Sequence, residues 1–414
     1  MTTPIGYRDG LLCVEAVSLE AIAERHGTPC YVYSAAAIEA AYREYEQALR
    51  GHAALVCYSV KANSNLAVLA LLARLGAGFD IVSGGELARV LAAGGDPAKV
   101  LFSGVGKSEA EIEQAISSNV GCINVESAPE LERVDRIAQR LRRRAPIALR
   151  INPDIDARTH PYISTGLREN KFGVAFEEAE ALYRRAASLA GLEVVGIGCH
   201  IGSQLLSAAP LAEAVGRIAA LADRLAAGGL RLRHIDIGGG IGIRYKDERP
   251  EPIGAFLDAA LGVLAGRSET IVVDPGRSIV GNAGVLLTRV EYVKRGTARS
   301  FLVVDAAMND LLRPALYGAW HDVRPVRQRL DAPPATFDVV GPVCESGDFL
   351  AKERALAAAE GDLLAILSAG AYGMSMSSNY NSRPRPAEVL VEGSRFRLVR
   401  QREPVASLFA LEST

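Results

Sequence analysis

From about residue 54 the chain settles into a repeating texture. Short runs of β-branched and aromatic residues alternate with longer Ala- and Leu-rich stretches whose apolar positions recur at helical spacing. The apolar runs at 55–60, 79–83, 100–104, 122–126, 147–152, 194–201, 234–237 and 271–274 predict eight strands. The amphipathic stretches at 67–75, 86–93, 109–117 and 211–226 predict helices between them. Eight strand–helix units predict a closed parallel (β/α)8 barrel of the TIM type, although an open doubly wound sheet shares the pattern. The polar residues favour closure. Lys61, Arg150, His200, the glycines after Ile237, and Asp274 all fall at or just past the C-terminal ends of their strands. A closed barrel gathers those ends on one rim, where active sites are built.

After residue 282 the long helical stretches stop. Runs at 285–293, 301–304, 337–340, 363–367 and 388–391 read as short strands, as do 11–17 and 31–33 near the start. The expected fold class is therefore α/β: a barrel over 35–281, with a second, discontinuous β domain made of 1–34 and 282–414.

Composition narrows the partners. The 414 residues are 49% hydrophobic and 23% charged, with a formal net charge of −2, so nothing points to nucleic acid or an anionic membrane surface. The most apolar stretch, 253–265, is too short to span a bilayer and is broken by Asp258. The start, Met1-Thr2-Thr3-Pro4-Ile5, has neither a basic nor an apolar leader region. The six cysteines are scattered without a C-x-x-C pair, which indicates neither a disulfide framework nor a metal site. A cytoplasmic protein with reduced thiols, acting on a small molecule, is the expectation.

The candidate chemistry starts at Lys61. On its own it reads as a lysine snorkelling out of a strand end. Beside apolar walls, however, its amine would be driven towards the neutral form that a Schiff base with an aldehyde cofactor needs. Gly238-Gly239-Gly240 follows the seventh predicted strand, Asp274-Pro275-Gly276-Arg277 the eighth, and His200-Ile201-Gly202-Ser203 the sixth. Loops after strands seven and eight are the usual phosphate cradle of such a barrel, because glycines let backbone N–H groups approach an anion. His200 offers an aromatic face for a planar ring, and Asp274 an anion for a pyridinium nitrogen. Lysine, histidine, acid and glycine cradle together describe a site for pyridoxal 5′-phosphate.

The motifs Tyr58-Ser59-Val60-Lys61-Ala62-Asn63, His200-Ile201-Gly202-Ser203-Gln204, Gly238-Gly239-Gly240-Ile241-Gly242 and Asp274-Pro275-Gly276-Arg277 resemble those of the fold type III pyridoxal-phosphate decarboxylases. Three further segments resemble the diaminopimelate decarboxylases within that group. They run from Asp305 through Arg313 to Tyr317, from Gly341 through Cys344-Glu345 to Asp348, and from Gly370-Ala371-Tyr372-Gly373 to Pro384. The resemblance implies decarboxylation of meso-2,6-diaminoheptanedioate to L-lysine, the last step of a lysine pathway. It assigns Lys61 and Cys344 to catalysis, with Cys344 as general acid. It places the cofactor against Lys61, His200, Ser203, Gly239, Gly240, Asp274, Gly276, Arg277 and Tyr372. The substrate's distal amino-acid head falls to Arg277, Arg313, Tyr317, Glu345 and Tyr372. It further implies a homodimer whose active sites are shared between subunits. One position departs from the pattern: the family usually has glutamate where this chain has Asp274, one methylene shorter. The alternatives are another decarboxylase of this fold, acting on ornithine, arginine or a carrier-linked amino acid, or a non-catalytic pyridoxal-phosphate protein. Arg313 and Tyr317 argue against a diamine-forming enzyme, whose substrate has no distal carboxylate.

Overall fold

The computed structural model describes residues 4–155, 171–330 and 332–414. Among them the chain forms two compact units. One comprises Ala41–Ile243 with Arg249–Ser278; the other comprises Met1–Ala40, Arg244–Glu248 and Ile279–Thr414.

In the first unit eight parallel strands close on themselves. They are β1 (Ala54–Ser59), β2 (Gly78–Ile81), β3 (Val100–Phe102), β4 (Cys122–Val125), β5 (Ala145–Asn152), β6 (Leu192–Gly198), β7 (His234–Asp236) and β8 (Thr270–Val273). Each pairs with its successor, and β8 returns to β1 through Ile271–Ala54, Val272–Leu55 and Val273–Val56. The predicted barrel is thus present and closed; the open-sheet alternative is excluded. Its interior is packed by Cys57, Leu101, Cys122, Ala148, Val195 and Val272, one side chain from each of six strands. Four successive helices start on side-chain caps. Asn65, Ser83, Ser108 and Ser127 each accept a backbone N–H of the first turn, and Ser108 forms a capping box with Glu111. These caps fix where each strand's connection ends and its helix begins.

In the second unit a long sheet runs in the order Phe349–Leu356, Ala335–Val340, Ser300–Val304, Gly284–Arg295, Cys30–Ser34, Ala387–Glu392, Arg395–Arg400. The N-terminal strand Cys30–Ser34 lies between two C-terminal ones, antiparallel to Gly284–Arg295 and parallel to Ala387–Glu392. Main-chain hydrogen bonds therefore join the two ends of the sequence into one β domain. Beneath the sheet Leu12, Leu19, Ile22, Val32, Val285, Leu287, Val389 and Val391 share a buried cluster.

One buried ion pair braces the barrel. Lys107, after β3, is almost wholly enclosed, and its Nζ donates to Gly104 O, Asn124 O and Glu130 Oε1, each at 2.7 Å. Glu130 accepts the Glu126 N–H on its other oxygen, and Glu126 in turn accepts Gly104 N–H, Gly173 N–H and Arg150 Nη1. Removing one member of a buried pair strands the other. Lys107→Met is expected to cost about 3–5 kcal/mol, and Lys107→Met with Glu130→Leu to recover most of it. Thermal and denaturant midpoints of the two variants check this. An unchanged midpoint in the single variant would show that the pair does not brace the barrel.

Candidate active site

The rim of the barrel is assembled by hydrogen bonds between its own loops. Leu205 N–H donates to Gly240 O, Gly242 N–H to Leu205 O, and the Gln204 side chain donates to Ile243 O at 2.5 Å and accepts its N–H at 3.2 Å. The loops after β6 and β7 are thereby zipped together. Gly240 holds a φ of +86°, and a Cβ there would collide with Gly202 O. Gly239 lies as close to Asp274, whose carbonyl and carboxylate occupy the space a side chain would need. The tightness of these turns requires glycine.

Onto this rim the structure brings most of the barrel residues expected from sequence. Lys61 lies in the turn just past β1, His200 two residues past β6, and Asp274 directly after β8. Arg277 opens the short helix Arg277–Val280 and donates from Nη2 to Ser203 Oγ at 3.0 Å, joining the loops after β6 and β8. Gly276 packs against Ser59 and Ala62, on either side of Lys61. His200 Nδ1 is 3.4 Å from Gly239 N and also 3.4 Å from Asp274 Oδ1. It accepts the Gly239 N–H.

One expectation is corrected. Lys61 does not stand against apolar walls; its Nζ meets Asp80 Oδ2 at 3.2 Å. Asp80, on β2, also accepts Ser59 Oγ at 3.0 Å and Ser103 Oγ at 2.6 Å, which keep the carboxylate solvated inside the barrel. The amine is therefore one half of an ion pair. Asp80 itself was missed, although a lone aspartate between Phe79 and Ile81 in an apolar strand is a signal.

Two more acids went unnoticed, Asp236 buried and Glu86 half-buried. Asp236, at the end of β7, accepts Gly238 N–H at 2.9 Å; burial, and then the charge of Asp274, push its carboxyl well above the usual range. Burial also lifts Glu86 from 4.5 to about 7, against the pull of its bond from Val82 N–H.

The remaining expected residues belong to the other unit, where their three motif segments converge. Asp348 accepts Val343 N–H and Met308 N–H, Cys344 N–H donates to Asn381 Oδ1 at 2.8 Å, and Arg383 donates to Asn309 Oδ1 and Asp305 O. Cys344 and Glu345 are exposed on their loop, whereas the other five cysteines are buried free thiols. Arg313 is buried at the start of the short helix Arg313–Tyr317, of which Tyr317 is the last residue. Tyr372 holds a left-handed φ of +56°, a strained conformation for a side-chain-bearing residue.

A model of the pyridoxal-dependent decarboxylases, their pyridoxal binding domain, matches residues 35–281. The chain belongs to that family. It is 62% identical over 407 residues to the diaminopimelate decarboxylase of Pseudomonas aeruginosa, covering 98% of each, and 55% identical to that of Vibrio cholerae, covering 98% of this chain and 97% of the relative. Among solved structures, the diaminopimelate decarboxylase of Helicobacter pylori complexed with L-lysine superposes with a TM-score of 0.92 at 47% identity, covering 95% of this chain and 98% of that one. The M. jannaschii diaminopimelate decarboxylase gives 0.95 at 35%, covering 99% and 98%.

The family's cofactor is pyridoxal phosphate, and the residues present fit it. Among the described residues the buried Oδ1 of Asp274 has no hydrogen-bond partner. Such an atom is costly, and a pyridinium N–H would satisfy it. The same residues show no cluster of His, Cys, Asp or Glu able to hold a metal ion.

The raised Glu86 carboxyl gives a pH prediction. Between about 4.5 and 7 the folded chain holds a proton at Glu86 that the unfolded chain has released, so its contribution to stability falls as pH rises through that window. Glu86→Gln removes this loss. The variant's thermal midpoint relative to wild type is expected to climb between pH 4.5 and pH 8; a constant difference would contradict the assignment.

Proposed function

We propose that this chain decarboxylates meso-2,6-diaminoheptanedioate to L-lysine and carbon dioxide, the last step of a lysine pathway. The observation that carries the reading is the joint presence of a lysine rim suited to pyridoxal phosphate and an Arg313–Tyr317 segment suited to a second carboxylate. The relatives named above support it, two of them sharing more than half of their residues with this chain over almost its whole length. The barrel, 35–281, is the cofactor-binding domain; residues 1–34 and 282–414 form the β domain that contributes to the active site and the dimer interface. No described helix is long and apolar enough to cross a membrane, and we place the reaction in the cytoplasm.

Lys61 would hold the cofactor's aldehyde carbon covalently, with Asp80 fixing the amine. Ser203, Gly239, Gly240, Gly276, Arg277 and Tyr372 would hold its phosphate, His200 its ring face and Asp274 its ring nitrogen. When bound, pyridoxal phosphate supplies an electron sink for the carbon that loses carbon dioxide. Arg313, with Tyr317 and Arg277, grips the substrate's distal carboxylate, for which a planar guanidinium fork is well matched. Glu345 balances the distal ammonium. These contacts orient the scissile carboxylate and select a substrate with two amino-acid heads. Cys344 Sγ then donates a proton to the carbon left behind, as a positioned thiol can. Its exposed loop suits a homodimer in which the partner subunit completes each site.

The direct test is carbon dioxide release from meso-diaminopimelate, L-lysine, L-ornithine and L-arginine. Release from the first alone is expected; release from ornithine or arginine at a comparable rate would replace the substrate assignment. Borohydride reduction of the yellow holoenzyme is expected to label Lys61. Arg313→Ala is expected to lower kcat/KM for diaminopimelate at least about tenfold, the loss of one charge-assisted contact, with cofactor absorbance unchanged.

The shared site makes a separate prediction. Lys61→Ala and Cys344→Ala homodimers should each be nearly inactive. Refolded together in equal amounts, about half the dimers are mixed, each with one intact site, so activity should return to roughly a quarter of wild type. A mixture no more active than its parents, despite proven subunit exchange, would place both residues in one subunit.

A further inference from the structure

We propose that His321 is a positioning residue for Arg313, and through it sets the preference for a substrate that carries a distal carboxylate. The proposal rests on the reading of Arg313 given above. His321 is fully buried between the helix Arg313–Tyr317 and the strand Val323–Pro325. Its Nδ1 lies 2.9 Å from the Leu367 carbonyl oxygen. A carbonyl only accepts, so Nδ1 carries the proton. Nε2 is then the lone-pair end of a neutral ring, and Arg313 Nη1, at 2.9 Å, donates to it.

The imidazole is itself immobile. Leu367 follows the strand Leu363–Ile366, which pairs with Val323–Pro325, and Leu367 N–H donates to Asp322 O. Arg354, stacked 4.4 Å over Trp320, donates to the His321 carbonyl. A second wall comes from Tyr245, in the segment Arg244–Glu248 that belongs to this unit. The Arg313 guanidinium carbon is 4.5 Å from the centre of the Tyr245 ring, and that ring meets His321 edge-on at 5.3 Å. Tyr245 is pinned by its N–H to Glu248 Oε2 at 3.0 Å.

Arg313 is thus held on one face by an aromatic ring and at one nitrogen by an acceptor whose tautomer is fixed elsewhere. An arginine has many rotamers, and one that must meet a carboxylate bidentately gains by having its plane set beforehand. Neutral histidine performs this task without introducing charge beside the site. An anionic acceptor here would compete with the substrate carboxylate for the same guanidinium.

The test uses holoenzyme and two competitors of diaminopimelate decarboxylation. L-lysine keeps the amino-acid head whose carboxylate Arg313 would hold; 1,5-diaminopentane lacks it. In His321→Leu the Ki of L-lysine and the KM of diaminopimelate are expected to rise about fivefold to tenfold, the scale of one lost hydrogen bond to a charged group, while the Ki of diaminopentane and the cofactor content stay unchanged. His321→Gln, which restores an acceptor oxygen, should recover most of the loss. Arg313→Ala with His321→Leu should bind L-lysine no worse than Arg313→Ala alone, because one residue acts through the other. Equal weakening of both competitors, or additive losses in the double variant, overturns the proposal. If His321→Leu does not fold, His321→Met is read in the same way. Should Arg313→Ala keep the wild-type ratio of the two inhibition constants, the reading of Arg313 itself fails. A changed ratio in Arg313→Ala with an unchanged one in His321→Leu rejects His321 alone.

Discussion

Three carboxylates, Asp80, Asp236 and Asp274, are buried at the C-terminal ends of barrel strands, and the rest of the rim is arranged around their differing needs. Burial makes an ionised carboxylate expensive unless donors or cations replace its water. Asp80 has two hydroxyls and the Lys61 amine. Asp236 is held towards its neutral form, by burial and then by Asp274. Asp274 keeps a buried oxygen without a donor among the described residues. The rim is thus prepared for a cationic group at Asp274, and the family's cofactor carries one in its ring.

The second unit solves a different problem, that of holding irregular loops still. Its three motif segments contain few regular elements, so backbone groups must be satisfied by side chains. Asp348 and Asp310 cap neighbouring N–H groups, and Arg383 ties Asn309 and the Asp305 carbonyl to the loop it occupies. Burial drives the Asp310 carboxyl up to about 7, which the bond from Ala307 N–H only partly offsets. Cys344 is placed by such side-chain anchors rather than by a strand or long helix.

Much of this was legible from the chain. All eight barrel strands appear within a few residues of their expected positions, because continuous apolar runs bounded by glycine are strong signals. The glycine loops also followed from spacing, whereas the bond from Arg277 to Ser203 did not. The strand Phe349–Leu356 was not legible: Ala351-Lys352-Glu353-Arg354-Ala355 has helical composition, and only pairing with Ala335–Val340 makes it extended. The setting of Lys61 was misread, because Asp80, which meets its amine, lies nineteen positions away on the neighbouring strand. His321 carried no motif signal, since its role depends on a tautomer fixed by the carbonyl of Leu367.

The central claim is that Asp274 provides the anion for the ring nitrogen of pyridoxal phosphate, despite being shorter than the usual glutamate. The most direct measurement is the 15N chemical shift of the ring nitrogen in holoenzyme loaded with labelled cofactor, for wild type and for Asp274→Asn. The account predicts a protonated nitrogen in wild type and a neutral one in the variant. The variant should stay folded and loaded with cofactor, with kcat lower by roughly two orders of magnitude, the scale of losing one partner of developing charge. An unchanged shift with near-normal turnover would contradict the account.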